Sequence, residues 1–302
     1  MTECERIVSA GILDESFFNQ EMKCGFLVTK ERKKIWAIEL DMLLEVDRVC
    51  KKYNLCYFLF WGTLLGAVRH KGFIPWDDDT DIVMPRRDYE LLLSHANDFS
   101  SPYFLQTPLS DEGYYYSHAR LRNTNTSAVD FPFKYQKFNM GIFVDIQPID
   151  NIDVSNGGEK LFSTISNLNI LNSIAMRLSN PDLSEYDKKR VNNYPGGDPL
   201  ERYKTIQLLS IRDLNKNTKH VSILAATTYG YSRDLFLKED FDGSILVSYM
   251  GYKFPIPKGY DRILKTCYGD YMKLPPVEER GNWHSNIVFD SDTPYYLFLK
   301  KQ

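Results

Sequence analysis

Residues Trp61 to Met84 read WGTLLGAVRHKGFIPWDDDTDIVM, and the reading of this stretch decides the fold. It follows an apolar run, Leu55-Cys56-Tyr57-Phe58-Leu59-Phe60, whose length and aromatic content predict a buried strand ending at the turn Trp61-Gly62-Thr63. Gly62 permits a tight strand-to-helix turn, Thr63 can cap the next helix, and a short helix is expected over 63–69. The first N–H groups of such a helix attract an anion held above the strand. After Lys71-Gly72-Phe73-Ile74-Pro75 come four carboxylates within five residues, Asp77, Asp78, Asp79 and Asp81. Alternation from Asp79 to Met84 predicts a strand that projects Asp79 and Asp81 from one face. Carboxylates so placed repel unless a cation lies between them, and hard oxygen ligands suit Mg²⁺ or Mn²⁺. A divalent ion beside a phosphate-binding helix terminus points to phosphoryl-transfer chemistry. Asp-rich segments are commonly solvated loops, but Pro75 and Trp76 on one side and Ile82-Val83-Met84 on the other give this one an apolar frame.

Outward from this stretch, Ile35, Ile38, Met42, Val46 and Val49 recur at helical spacing, so 30–52 is expected to be an amphipathic helix stopped at Asn54. Asp88 is expected to cap a helix running to about 97, and Arg86 and Arg87 are equally a phosphate contact or an ion-pair partner. Segments 103–106 and 115–122 read as short strands, the second with Arg120 and Arg122 on one face. In Gly141-Ile142-Phe143-Val144-Asp145-Ile146 a carboxylate stands inside an apolar strand, a costly burial unless it is paired or holds a metal, so Asp145 is the natural third ligand. Asp150, after Pro148, reads as a turn residue. Helices are expected over 158–178 and 200–216, with a loop over 181–199, containing Tyr194-Pro195-Gly196-Gly197, as the weakest point of the chain. The basic tail 216–220 suits a helix C-terminus better than a membrane surface.

The run Gly62-Thr63-Leu64-Leu65-Gly66-Ala67-Val68-Arg69-His70, then Gly72-Phe73-Ile74-Pro75-Trp76-Asp77-Asp78-Asp79 and Asp81-Ile82, closely resembles the signature of the LicD family. These are phosphotransferases of the nucleotidyltransferase superfamily, related to fukutin and fukutin-related protein. The resemblance extends over roughly 30–284 and is dense in three islands: this one, the Asp145 segment, and a C-terminal one with Tyr268-Gly269-Asp270-Tyr271, Arg280 and His284. It implies an α+β fold, a nucleotidyltransferase-like mixed sheet with packed helices and a helical and C-terminal extension. The implied division is an N-terminal extension over 1–29 and a catalytic domain over 30–302, its core at about 30–155 and a substrate-closing part at about 156–290.

By the same resemblance Gly62 and Thr63 form the turn, and Asp79, Asp81 and Asp145 hold Mg²⁺ or Mn²⁺, with Asp77 or Asp145 taking the acceptor proton. Arg69, Trp76, Arg122, Tyr268, Asp270, Tyr271, Arg280 and His284 join Gly62 and Thr63 as substrate or nucleotide contacts. The implied reaction is transfer of phosphocholine from CDP-choline to a sugar hydroxyl of a cell-surface glycan or lipid-linked precursor, with release of CMP. Transfer of ribitol or glycerol phosphate, nucleotidyl transfer by the same acidic site, and a divalent-dependent nucleotide- or glycan-binding protein are the alternatives. A choline group calls for an aromatic cage, with candidates in Trp61, Trp76, Tyr268, Tyr271 and Trp283.

Composition narrows the partners. A length of 302 residues with 43% hydrophobic content supports a sizeable core. A net charge of −3 and a pI near 6 give no basic footprint for nucleic acid. Five scattered cysteines show neither zinc spacing nor a disulfide framework. With no signal-like apolar segment, the expected location is the cytoplasm, with peripheral contact at the inner face of the membrane.

Overall fold

The strand Ile142–Ile152 is the spine of a seven-stranded mixed sheet. Along one edge it pairs in parallel with Asp81–Pro85. Along the other it pairs antiparallel with Ala119–Asn123 over its first half and with His220–Ser222 at its end. Phe58–Leu59, Tyr103–Gln106 and Leu235–Leu237 extend the sheet outward. Covered on both faces, the spine is buried at nearly every position, so the carboxylates it carries need partners. The computed structural model describes residues 1–193, 198–227, 229–281 and 284–301, an α+β fold with a curled mixed sheet. Two expectations from the sequence, on the loop residues Tyr194 to Gly197 and on Trp283, lie outside the described residues.

The helix Lys30–Tyr53 forms as its periodicity predicts. Thr29 caps it by accepting the Arg32 N–H at 3.2 Å, and Asn54 closes it in the left-handed region at φ 54°. Its apolar stripe enters the main core beneath the sheet, while Arg32, Trp36 and Glu39 lie at i, i+4 and i+7 and face the acidic stretch. Ile7, Phe18 and Val28 from the first 29 residues enter the same core. Asn123 donates to Glu3 at 3.0 Å, which fastens that segment to the sheet, and the Tyr252 hydroxyl, in the separate pair of strands Ser244–Tyr249 and Tyr252–Pro257, donates to the Ile12 carbonyl at 2.9 Å.

Several local expectations are corrected. Of the run Leu55 to Phe60 only Phe58–Leu59 is strand, because helix Trp61–His70 starts two residues earlier than its spacing suggests. Thr63 therefore lies inside the helix and does not cap it; its hydroxyl accepts the Asp81 N–H at 2.9 Å. The next strand begins at Asp81, so Asp79 sits in the turn before it. The helix after it is Arg86–Ser94, with Asp88 in its first turn and no side-chain cap. Asp150 lies within the spine strand and receives a bidentate bond from Arg86, at 2.6 and 2.8 Å, so Arg86 is a structural ion-pair partner. The 181–199 stretch contains helix Glu185–Asn192, capped by Ser184. It packs with helices Gly158–Ala175 and Pro199–Ser210 around Leu168 and Ile206. Lys216 is bonded to Asp213 at 2.7 Å.

Near the C-terminus, strand Ile287–Asp290 pairs antiparallel with Ser127–Asp130. That pairing carries His284 back over the acidic stretch, more than 200 residues away in sequence. All five cysteines are free. Among the described residues no helix is long and apolar enough to cross a membrane.

Candidate active site

Strand register sets the centre of the site. Asp145 pairs with Asp81 on one side and with Arg120 on the other, so Asp81, Asp145 and Arg120 form one row across three strands. Arg120 Nε donates to Asp145 Oδ1 at 2.6 Å, and His118 Nε2 donates to the same oxygen at 3.1 Å. Burial works against the Asp145 anion, but Arg120 and His118 outweigh it and hold its carboxyl well below the usual range.

The acidic turn is suspended from two helices. Arg32 and the Trp36 indole both donate to the Asp77 carbonyl, at 2.6 and 2.9 Å, and Trp36 stacks on Phe73 with ring centroids 4.9 Å apart. Thr80 donates to the buried Glu39 carboxyl at 3.2 Å. From the other side the first turn of helix Trp61–His70 meets Asp77 so closely that a Cβ on Gly62 would lie 2.5 Å from Asp77 Oδ2. Trp61, at the start of that helix, has φ +40°, a strained value for a bulky residue.

His284 closes the group, bonding Asp78 Oδ1 through Nδ1 at 2.8 Å and lying 3.6 Å from Asp79 through Nε2. One ligand atom from each of Asp78, Asp79 and His284 lies within 4.8 Å of the others, a spacing that could hold a metal ion. Burial pushes the carboxyls of Asp77, Asp79 and Asp81 upward. Neighbouring charges add to this, Asp79 acting on Asp77 and Asp81, while His284 partly offsets it at Asp79. Burial lowers the His284 imidazole, yet Asp78, Asp79 and Asp77 together raise it to about 9. Buried oxygens that repel one another and draw in a cationic histidine fit a hard divalent cation.

Residues 54–163 match the family LicD/FKTN/FKRP, nucleotidyltransferase domain. The chain is also 26% identical over 251 residues to a protein of Haemophilus influenzae named lipopolysaccharide cholinephosphotransferase LicD, an alignment covering 81% of this chain and 92% of that one. Residues 54–163 thus carry a nucleotidyltransferase domain of the LicD type. Uncharacterized proteins of Rickettsia prowazekii and Rickettsia typhi are 36% and 45% identical over 89 residues, 27% of this chain and 34% and 29% of theirs.

The LicD-like signature residues divide into two groups. Gly62, Thr63, Asp77, Asp79, Asp81, Asp145 and His284 gather at the row and the acidic turn. Tyr268 lies beside them, its hydroxyl pushed up by burial and by neighbours that include Asp77 and Asp81. The second group is engaged elsewhere. Arg69 donates to the Tyr271 carbonyl at 2.7 Å, and the Tyr271 hydroxyl donates to Asp261 at 2.8 Å. Arg280 donates to the Pro275 carbonyl at 2.8 Å and stands 5.3 Å from the ring centre of the buried Trp76. Asp270 is exposed just past the end of helix Tyr260–Tyr268. Arg122 donates to Gln106 and to the Gly141 carbonyl, both at 2.7 Å, and burial with Arg120 beside it lowers it to about 9.

Sequence reasoning gave no role to Asp78, Glu39 or His118. Glu39 carries a legible signal, a carboxylate three residues after Trp36 on an otherwise buried helix face. His118 carries none, because only the strand pairing shows what it touches.

Proposed function

We propose that this chain is a phosphotransferase that moves phosphocholine from CDP-choline to a hydroxyl of a lipopolysaccharide-type or other cell-surface glycan, releasing CMP. The observation that carries the reading is the Asp81–Asp145–Arg120 row beside Asp77, Asp78 and Asp79. The likeness to the Haemophilus cholinephosphotransferase supports the transferred group. Mg²⁺ or Mn²⁺ is the proposed cofactor, held by Asp79 and Asp81 with Asp145; Asp79 also belongs to the Asp78–Asp79–His284 group, whose ligand atoms lie within 4.8 Å of one another. Such an ion supplies charge neutralisation for the diphosphate and the departing nucleotide.

The remaining work falls to side chains. The acceptor oxygen bonds to the phosphorus bearing choline, the bond from that phosphorus to the CMP oxygen breaks, and the acceptor proton passes to a carboxylate. Asp77 suits the proton better than Asp145, whose carboxylate is already bonded to Arg120 and His118. Arg120, 17% exposed and already directed at the row, is placed to meet a phosphate oxygen. The division of labour we infer is chemistry in 30–155 and substrate closure by 156–290, at the cytoplasmic face of the membrane that presents a lipid-linked acceptor.

The test is a phosphorus NMR time course with Mg²⁺, a panel of glycan acceptors, and CDP-choline, CDP-ribitol or CDP-glycerol as donor. Appearance of CMP with a phosphocholine diester is expected. Consumption of a polyol donor while CDP-choline stays intact, or a product that keeps the nucleotide, would overturn the assignment.

A further inference from the structure

A cavity of about 200 Å³ opens beside the row, bounded by Arg120 and His284 where it meets the carboxylates. Its lining is both cationic and aromatic. Near the row stand the guanidinium groups of Arg120 and Arg122, 4.0 and 4.7 Å from the centre of the Phe143 ring. The cavity is also lined by Phe133, Phe138 and Asp130. Phe133 and Phe138 lie 6.2 Å apart and, among the described residues, neither has a cation over its face. Asp130 is half-buried, its Oδ1 has no hydrogen-bond partner among the described residues, and Arg120, His284, Arg177 and Arg122 act on its carboxyl through space. A buried carboxylate oxygen without a hydrogen bond, beside aromatic rings that carry no cation, is destabilising in isolation and complementary to an organic cation.

We propose that this cavity receives the transferred phosphocholine, its trimethylammonium group against Asp130, Phe133 and Phe138 and its phosphate toward Arg120. The inference rests on the phosphotransfer reading and assigns the transferred head group to a pocket distinct from the aromatics that the sequence suggests. Trp76 already carries Arg280, and Tyr271 is bonded to Asp261. A trimethylammonium group donates no hydrogen bond, which suits rings and a bare carboxylate oxygen. A polyol would instead find few acceptors on the aromatic wall.

The test measures binding of phosphocholine, of its uncharged carbon isostere 3,3-dimethylbutyl phosphate, and of glycerol phosphate by calorimetry, in the parent chain and in Asp130→Asn. The parent is expected to bind phosphocholine about tenfold more tightly than the isostere, and Asp130→Asn to remove that preference while leaving isostere affinity unchanged. Phe133→Leu, at a wall position away from the Asp130 backbone pairing, is expected to weaken phosphocholine several-fold while circular dichroism keeps the parent fold. Equal affinities in the parent, tightest binding of glycerol phosphate, or a preference that survives Asp130→Asn would each overturn the assignment. Turnover of CDP-choline by the same proteins separates the two claims. If the parent consumes CDP-choline and Asp130→Asn keeps the preference, transfer stands and the pocket assignment falls. If the preference follows Asp130 while CDP-choline stays intact, the cavity binds the organic cation but not as the transferred group, and the transfer reading falls.

Discussion

Gly62 shows how one residue type is dictated by its neighbour's chemistry. A methyl group at this position would stand 2.5 Å from Asp77 Oδ2, closer than carbon and oxygen pack, so Gly62→Ala must swing the carboxylate away. CDP-choline turnover by Gly62→Ala is expected to fall about tenfold or more while circular dichroism keeps the parent fold. Turnover at the parent rate would show that Asp77 needs no fixed position. The glycine and the Asp cluster are both visible in the sequence, but their contact is not, because the chain between them runs the length of helix Trp61–His70 before folding back through the turn. Thr63 misleads for a related reason: it looks like a cap, and its hydroxyl serves the Asp81 amide.

At the scale of elements, two carboxylates in one row predict opposite responses to the same substitution. Asp81 is raised by burial and by Asp79 and Asp145, so Asp81→Asn relieves repulsion in chelator-treated protein and is expected to raise the melting midpoint by about 2 °C or more. Asp145 is paired with Arg120 and His118, and Asp145→Asn leaves two donors without their anion, at a cost of about 3 kcal/mol. Thermal melts of the two variants check the pair, and equal signs would refute the electrostatic account. Both carboxylates and the apolar frame of their strands are legible in the sequence. The register that pairs Asp145 with Arg120 is not, because alternation reveals which residues share a face and never which strand lies alongside.

Over the whole molecule, the Lys30–Tyr53 helix follows from periodicity and the α+β class from the family resemblance, whereas the return of His284 to Asp78 depends on the pairing of Ile287–Asp290 with Ser127–Asp130, a long-range contact no local pattern encodes. The part outside the acidic site also carries a pH signature. Asp234 accepts the N–H groups of Tyr229 and Gly230, at 2.9 and 3.1 Å, and burial raises its carboxyl to about 6 from an ordinary 3.8. The folded chain therefore holds that proton more tightly than the unfolded one. Its contribution to stability is full below pH 3.8 and is lost as pH rises through about 6. Denaturant melts at pH 4, 5 and 7 should show a smaller change with pH in Asp234→Asn than in the parent; identical profiles would contradict this assignment.

The proposal that the acidic turn and the carboxylate row hold one functional divalent site is tested most directly by Mn²⁺ binding, followed by electron paramagnetic resonance alongside CDP-choline turnover, in the parent and in Asp79→Asn. The parent is expected to bind Mn²⁺ and turn over CDP-choline, and Asp79→Asn to lose both together while keeping its fold. An Asp79→Asn protein that transfers phosphocholine at the parent rate, or a parent that does so after exhaustive chelation, would contradict it.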